Sequence, residues 1–237
     1  LSQTGIDGWL LYDYRGSNPI LWNLIGHVDH VTRPCWFLVP SNGDPVLLTH
    51  QVDAGRFASM VETAHSQNVR IDQLSFGSRD QMVSELATML KNSQKIAMEY
   101  SSEAALPRVS RIDAGTVELV RSLSVEVVSS ADVLQYSTER WSPQQLESHR
   151  VAMEGLVKTA HDAFAFIGEN INWKLTEHDV AEFIRGRFER LNLIAPDGPI
   201  VAVNQHASDP HYEPTPETAA VVRKNSLVLI DLWAVSP

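Results

Sequence analysis

The chain has 237 residues, a formal net charge of −10, 43% hydrophobic residues and 20% charged ones. That balance excludes a disordered chain, and without any cluster of Lys and Arg it excludes a nucleic-acid partner held by phosphate neutralisation. No apolar run approaches the ~20 residues of a membrane helix, the first residues lack the basic and apolar regions of a secretory signal, and the lone Cys35 can form no internal disulfide. A cytoplasmic protein with no membrane partner is therefore expected.

The first part alternates short apolar runs with helical stretches. Residues 7–12 (DGWLLY), 34–40 (PCWFLVP), 45–50 (PVLLTH), 95–100 (KIAMEY) and 125–130 (VEVVSS) have the composition of strands bounded by Gly, Pro, Asn or Ser. The SNGD at 41–44 supplies hairpin chemistry, because Asn-Gly readily takes the positive φ values of such turns. That hairpin is antiparallel, so the sheet is mixed and the fold class is α/β. Residues 78–92 form a helix that lays Met82, Leu86 and Leu90 on the sheet.

Near 136–142 the character changes, and a boundary is placed between a domain at 1–138 and a second at 139–237. Ser142, Pro143 and Gln145 spell a capping box with proline at the first helical position. Leu146, Met153, Val157, Ala160, Phe164 and Ile167 follow as the predicted core stripe of a long helix. Thr176 caps another, with Val180, Phe183, Ile184, Phe188 and Leu191 on one face. Two strands complete the chain, 199–203 (PIVAV) and 226–232 (SLVLIDL), separated by a polar loop. Two strands make a poor sheet, so further strands are expected from residues beyond this chain or from a partner.

An aspartate closes the last apolar strand. Burying an ionised carboxylate is costly unless a cation or hydrogen-bond donors compensate, so Asp231 is either a metal ligand or a strand end turned to solvent. The loop at 203–218 gathers His206, Asp209, His211 and Tyr212 among Pro210, Pro214 and Pro216. Those groups could bind a metal, carry protons or donate hydrogen bonds, and the alternative is a solvated polar loop. His27, Asp29 and His30 read as an exposed turn before a strand. Neither a P-loop, nor G-x-G-x-x-G, nor G-x-S-x-G, nor H-E-x-x-H occurs, so no cofactor-binding residue is assigned.

Taken together, SPQQLESHRVAMEGLVKTAHDAF, LTEHDVAEFIRGRFE, PIVAVNQHASDPHYEPT and NSLVLIDLWA resemble the first half of the catalytic domain of the Xaa-Pro aminopeptidase, prolidase and creatinase family, the α+β pita-bread fold. GWLLYDYRGSNPILWNLIG and TRPCWFLVP are similar to that family's creatinase-like N-terminal domain, a mixed sheet flanked by helices. The resemblance implies a metal-dependent peptidase cleaving next to proline in a proline-containing peptide, as a homodimer, with two divalent ions of Mn2+ or Co2+ and Zn2+ as a further candidate. Asp231 matches the first metal-ligand aspartate, and His211 the histidine that helps to stabilise the tetrahedral intermediate. The other ligands are expected outside this chain, so the chain as given is expected to hold no dinuclear site and to be inactive. A creatinase-like C–N hydrolase without metal and a non-catalytic family member remain alternatives. Trp233 stands where many relatives have Gly, which puts the pocket wall, and with it the substrate, in question.

Overall fold

The structure, a computed structural model, describes residues 5–237. Its contacts divide it into two units that meet between Arg140 and Trp141.

The first unit is built on a six-stranded sheet. Its elements in chain order are β1 (Gly8–Asp13), α1 (Pro19–Ile25), β2 (Cys35–Pro40), β3 (Val46–His50), α2 (Ala58–Ser66), β4 (Asp72–Phe76), α3 (Arg79–Leu90), β5 (Lys95–Met98), α4 (Ala114–Ser122), β6 (Glu126–Ser129) and α5 (Ala131–Thr138). The strand order is β4-β3-β2-β1-β5-β6. β2 is antiparallel to β1 and β3, and the other neighbours are parallel, so the sheet is mixed as the hairpin predicts.

Alternation along each strand feeds two cores. Leu10, Trp36, Leu48, Ile96 and Met98 pack with Leu86 and Leu90 of α3 and Val117 and Val120 of α4 on one face. Trp9, Leu11, Phe37, Leu47 and Ala97 pack with Leu21 and Trp22 of α1 and Val133 of α5 on the other. Covering both faces is why the central strands read as unbroken apolar runs. Cys35 lies in the second core, where burial pushes its thiol pKa well up and keeps it protonated. β4 carries no such run: only Phe76 is buried in it, as befits an edge strand, and the sequence pattern did not reveal it. No helix among the described residues is long and apolar enough to cross a membrane.

The second unit holds α6 (Pro143–Asn170), α7 (Glu177–Arg190) and the antiparallel pair β7 (Ile200–Val203) and β8 (Val228–Asp231). Both helices begin with the reciprocal caps that the sequence predicts or permits, Ser142 with Gln145 and Thr176 with Asp179. α7 buries Val180, Ala181, Ile184 and Phe188, in line with its pattern.

α6 corrects the sequence reading. Of the predicted stripe Ile167 is buried and Ala160 half-buried, with Ala152, Thr159 and Ala163 as the other buried residues, whereas Met153, Val157 and Phe164 are 48%, 53% and 51% exposed and Leu146 is exposed with them. Close approach explains the reversal. At Gly155 a Cβ would come within 2.9 Å of Leu193, so the packed face is the one with small residues, and side-chain bulk pointed to the wrong face. Phe166 adds a stacked contact to Phe183 with centroids 4.3 Å apart, and Arg187 bonds Asp162, tying α6 to α7.

Candidate active site

Residues 203–222 leave the end of β7 and return to the first turn of α7, and one side chain there holds both ends. Glu177, the first residue of α7, is fully buried. Its Oε1 accepts from the Val203 N–H at 2.5 Å and its Oε2 from the Ala220 N–H at 2.6 Å and the Tyr212 hydroxyl at 2.6 Å. His206 Nδ1 lies 3.0 Å from both oxygens. The backbone supports the clamp: the Glu177 N–H donates to the Ala220 carbonyl at 3.0 Å, Val222 donates to Leu175 at 2.8 Å, and Thr176 bridges to Val221. Burial, then the bond to Glu177, pushes the Tyr212 hydroxyl up to about 12, so it remains a donor at ordinary pH.

Within that frame the chain turns tightly through Asn204–Ser208. The Asn204 side chain accepts from Leu227 N at 3.0 Å while its own N–H donates to the Leu227 carbonyl, closing the open end of the β7–β8 pair. Asp209 accepts from the His211 N–H at 3.0 Å. His206 and Tyr212 stack with centroids 4.3 Å apart. His211 itself is exposed, and its imidazole has no hydrogen-bond partner among the described residues.

Asp231 ends β8 opposite Ile200. Val228 and Ile230 pack on the helical core with Val201 and Val203. Alternation therefore turns Leu229 and Asp231 to the sheet face away from the helices. Asp231 is exposed and makes no ion pair or side-chain hydrogen bond among the described residues, and no hydrogen bond joins it to His211. Two residues on, the Trp233 indole lies over Gly198, where φ is +68° and a Cβ would come within 2.6 Å of the ring.

No group of three or more His, Cys, Asp or Glu that could hold a metal ion occurs among the described residues. One carboxylate is too few ligands for a divalent pair, so the residues present do not by themselves fit the dinuclear centre that the resemblance implies. His27 and Asp29 pair at 3.1 Å with both side chains largely exposed, in the turn before β2.

Sequence reasoning missed Glu177, although a signal was there. It stands three, four and seven residues before Val180, Ala181 and Ile184, the spacing of one helix face. A charge on an apolar stripe flags a buried carboxylate with partners elsewhere.

Residues 148–236 match the model described as metallopeptidase family M24. No curated protein matches the chain. The chain is similar to the solved dipeptidase PepE from Mycobacterium ulcerans, with a TM-score of 0.60 and 19% identity over 97% of this chain and 56% of that one. It is also similar to the prolidase from Pyrococcus furiosus, with a TM-score of 0.50 and 17% identity over 99% of this chain and 64% of that one. For the Xaa-Pro dipeptidase from Bacillus anthracis the TM-score is 0.51 and the identity 15%, over 99% and 57%. At these identities the likeness shows the fold: a creatinase-like mixed-sheet unit followed by part of a pita-bread domain. The chain spans between 56% and 64% of the length of those three proteins.

Proposed function

We propose that the chain, whose residues 148–236 match the metallopeptidase family M24 model, is part of a metal-dependent peptidase that hydrolyses the bond adjacent to proline, as an Xaa-Pro aminopeptidase or dipeptidase. The observation that carries the reading is the match of residues 148–236 to the M24 model; Asp231 lies inside that segment, exposed on the helix-free face of β7–β8. A carboxylate so presented suits a hard divalent cation such as Mn2+ or Co2+. In this reading its fellow ligands belong to residues outside the chain, and the chain as given is inactive. The ions would supply Lewis acidity at the peptide carbonyl. The contribution of this chain is His211, whose imidazole would donate to the oxygen that becomes negative during attack, and the Glu177 clamp that holds the loop bearing it. A homodimer acting in the cytoplasm belongs to the same proposal.

The test is release of proline from Ala-Pro, and of alanine from Ala-Pro-Ala, by protein of the relatives' full length with and without a chelator. Release that a chelator abolishes is expected. Chelator-insensitive hydrolysis of creatine in its place would favour the creatinase-like alternative, and binding without turnover of any of these would favour a non-catalytic member.

A further inference from the structure

A carboxylate offers about four lone-pair positions, and the donors at Glu177 fill them: the N–H groups of Val203 and Ala220, the Tyr212 hydroxyl and His206 Nδ1. Peptide N–H groups cannot reverse their role, and the Tyr212 phenol keeps its proton at ordinary pH. The carboxylate therefore only accepts, and a neutral His206 must carry its proton on Nδ1. Its Nε2 then bears the lone pair. That nitrogen has no hydrogen-bond partner among the described residues. The His206 side chain is 26% exposed and lies in the wall of a cleft of about 300 Å3, beside Gln205, Ala220, Arg223 and Ser226. The stacked Tyr212 ring restrains rotation of the imidazole.

We infer that Glu177 is a positioning residue that presents His206 Nε2 to this cleft as a hydrogen-bond acceptor for an N–H donor of a peptide substrate, an amide or an N-terminal ammonium group. The identity of the ligand rests on the peptidase reading; the tautomer does not. An unrestrained neutral histidine in water favours the proton on Nε2, so the clamp inverts the ordinary preference. Because the same carboxylate pins residues 203 and 220, the acceptor is fixed in the loop that also bears His211.

The experiment is long-range 1H–15N spectroscopy of the imidazoles of this chain at a pH about two units above the ordinary histidine pKa of about 6.5, with Ala-Pro as the probe. His206 should show a pyridine-type Nε2 and a protonated Nδ1, while the exposed His65 and His161 show the reverse. Added Ala-Pro should shift the His206 Nε2 resonance to lower frequency, and Glu177→Gln should abolish both the inverted pattern and that shift. Tyr212→Phe, which leaves the carboxylate in place, should keep the pattern, and where Glu177→Gln does not fold the wild-type spectrum decides alone. A wild-type His206 protonated mainly on Nε2 would overturn the positioning role. An inverted tautomer whose Nε2 shift ignores the dipeptide would overturn the ligand assignment. Both readouts come from this chain, so failure of the longer protein to hydrolyse peptides would fall on the peptidase reading alone.

Discussion

Glu99 in the first unit and Glu177 in the second are both fully buried, but their surroundings differ. Glu99 follows β5 and accepts from two side chains, Trp9 Nε1 at 2.6 Å and Asn18 Nδ2 at 3.0 Å. Glu177 accepts from four residues, two of them through peptide N–H groups. Around Glu99, desolvation outweighs the hydrogen bonds it receives, those of Trp9 and Asn18 foremost, and pushes the carboxyl up to about 7, so this group titrates inside a core. Around Glu177 the donors belong to the loop itself, and the carboxylate sets the loop's shape. Depth of burial is the same in both; what differs is whether the donors come from a scaffold already fixed or from the segment being fixed.

Removing each carboxylate should separate them most. Glu177→Leu strands two peptide N–H groups, a phenol and an imidazole N–H, and at about 1–3 kcal/mol for each unsatisfied group the loss should reach about 4 kcal/mol or unfold the second unit. Glu99→Leu strands two side-chain donors and should lose about 2 kcal/mol. Urea denaturation of the two variants measures the difference, and equal losses would break the comparison.

The pH response of Glu99 comes next in size. Its folded pKa of about 7 lies above its ordinary 4.5. Below the ordinary value both states hold the proton and the contribution to stability is present in full. It declines as the unfolded chain ionises and is gone once pH has risen through the folded pKa. The loss should be on the order of 2 kcal/mol between about pH 5 and pH 8. Asp113, lowered chiefly by its bond from Thr116, loses its contribution only as pH falls below its ordinary 3.8, outside that window. Urea midpoints across the window should fall for the wild type and stay flatter for Glu99→Gln; parallel curves would remove Glu99 as the cause.

A smaller effect is expected at Gly198. Gly198→Ala sets a Cβ in a left-handed conformation against the Trp233 ring and should lose about 1–3 kcal/mol in thermal or urea unfolding. Adding Trp233→Gly should recover the steric part and leave the backbone part. The smallest effect falls on the exposed face of α6: Val157→Gln should change stability by no more than about 0.5 kcal/mol, whereas Ala163→Leu, into the packed face, should lose about 1–3 kcal/mol, as much as Gly198→Ala. The opposite ranking would restore the face that spacing alone suggests.

Much of this was legible in the sequence where a pattern and a packing environment coincide. The runs holding Leu10, Phe37 and Ile96 announce a sheet covered on both faces, and Ser142 with Gln145 announces the start of α6. Legibility fails where small residues decide packing, since Ala152, Gly155 and Ala163 give no hydrophobic signal, and at β4, where a polar edge strand pairs through its backbone. Of the site, Asp231 and the loop with His206, His211 and Tyr212 stand out as chemistry-bearing groups in the sequence. What joins His206 to Tyr212 does not, because Glu177 reaches them from a helix 29 and 35 residues earlier in the chain, and only its misfit on an apolar stripe hints at it.

The central claim is that Asp231 is a metal ligand of a proline-specific peptidase. Bound divalent metal and proline release from Ala-Pro, measured together for wild type and Asp231→Asn in protein of the relatives' full length, test it most directly. Since loss of even an outer partner of a metal ligand typically costs 10–100-fold, the account predicts that the variant loses metal and that release falls at least about 100-fold. Unchanged metal content with an unchanged rate would contradict it.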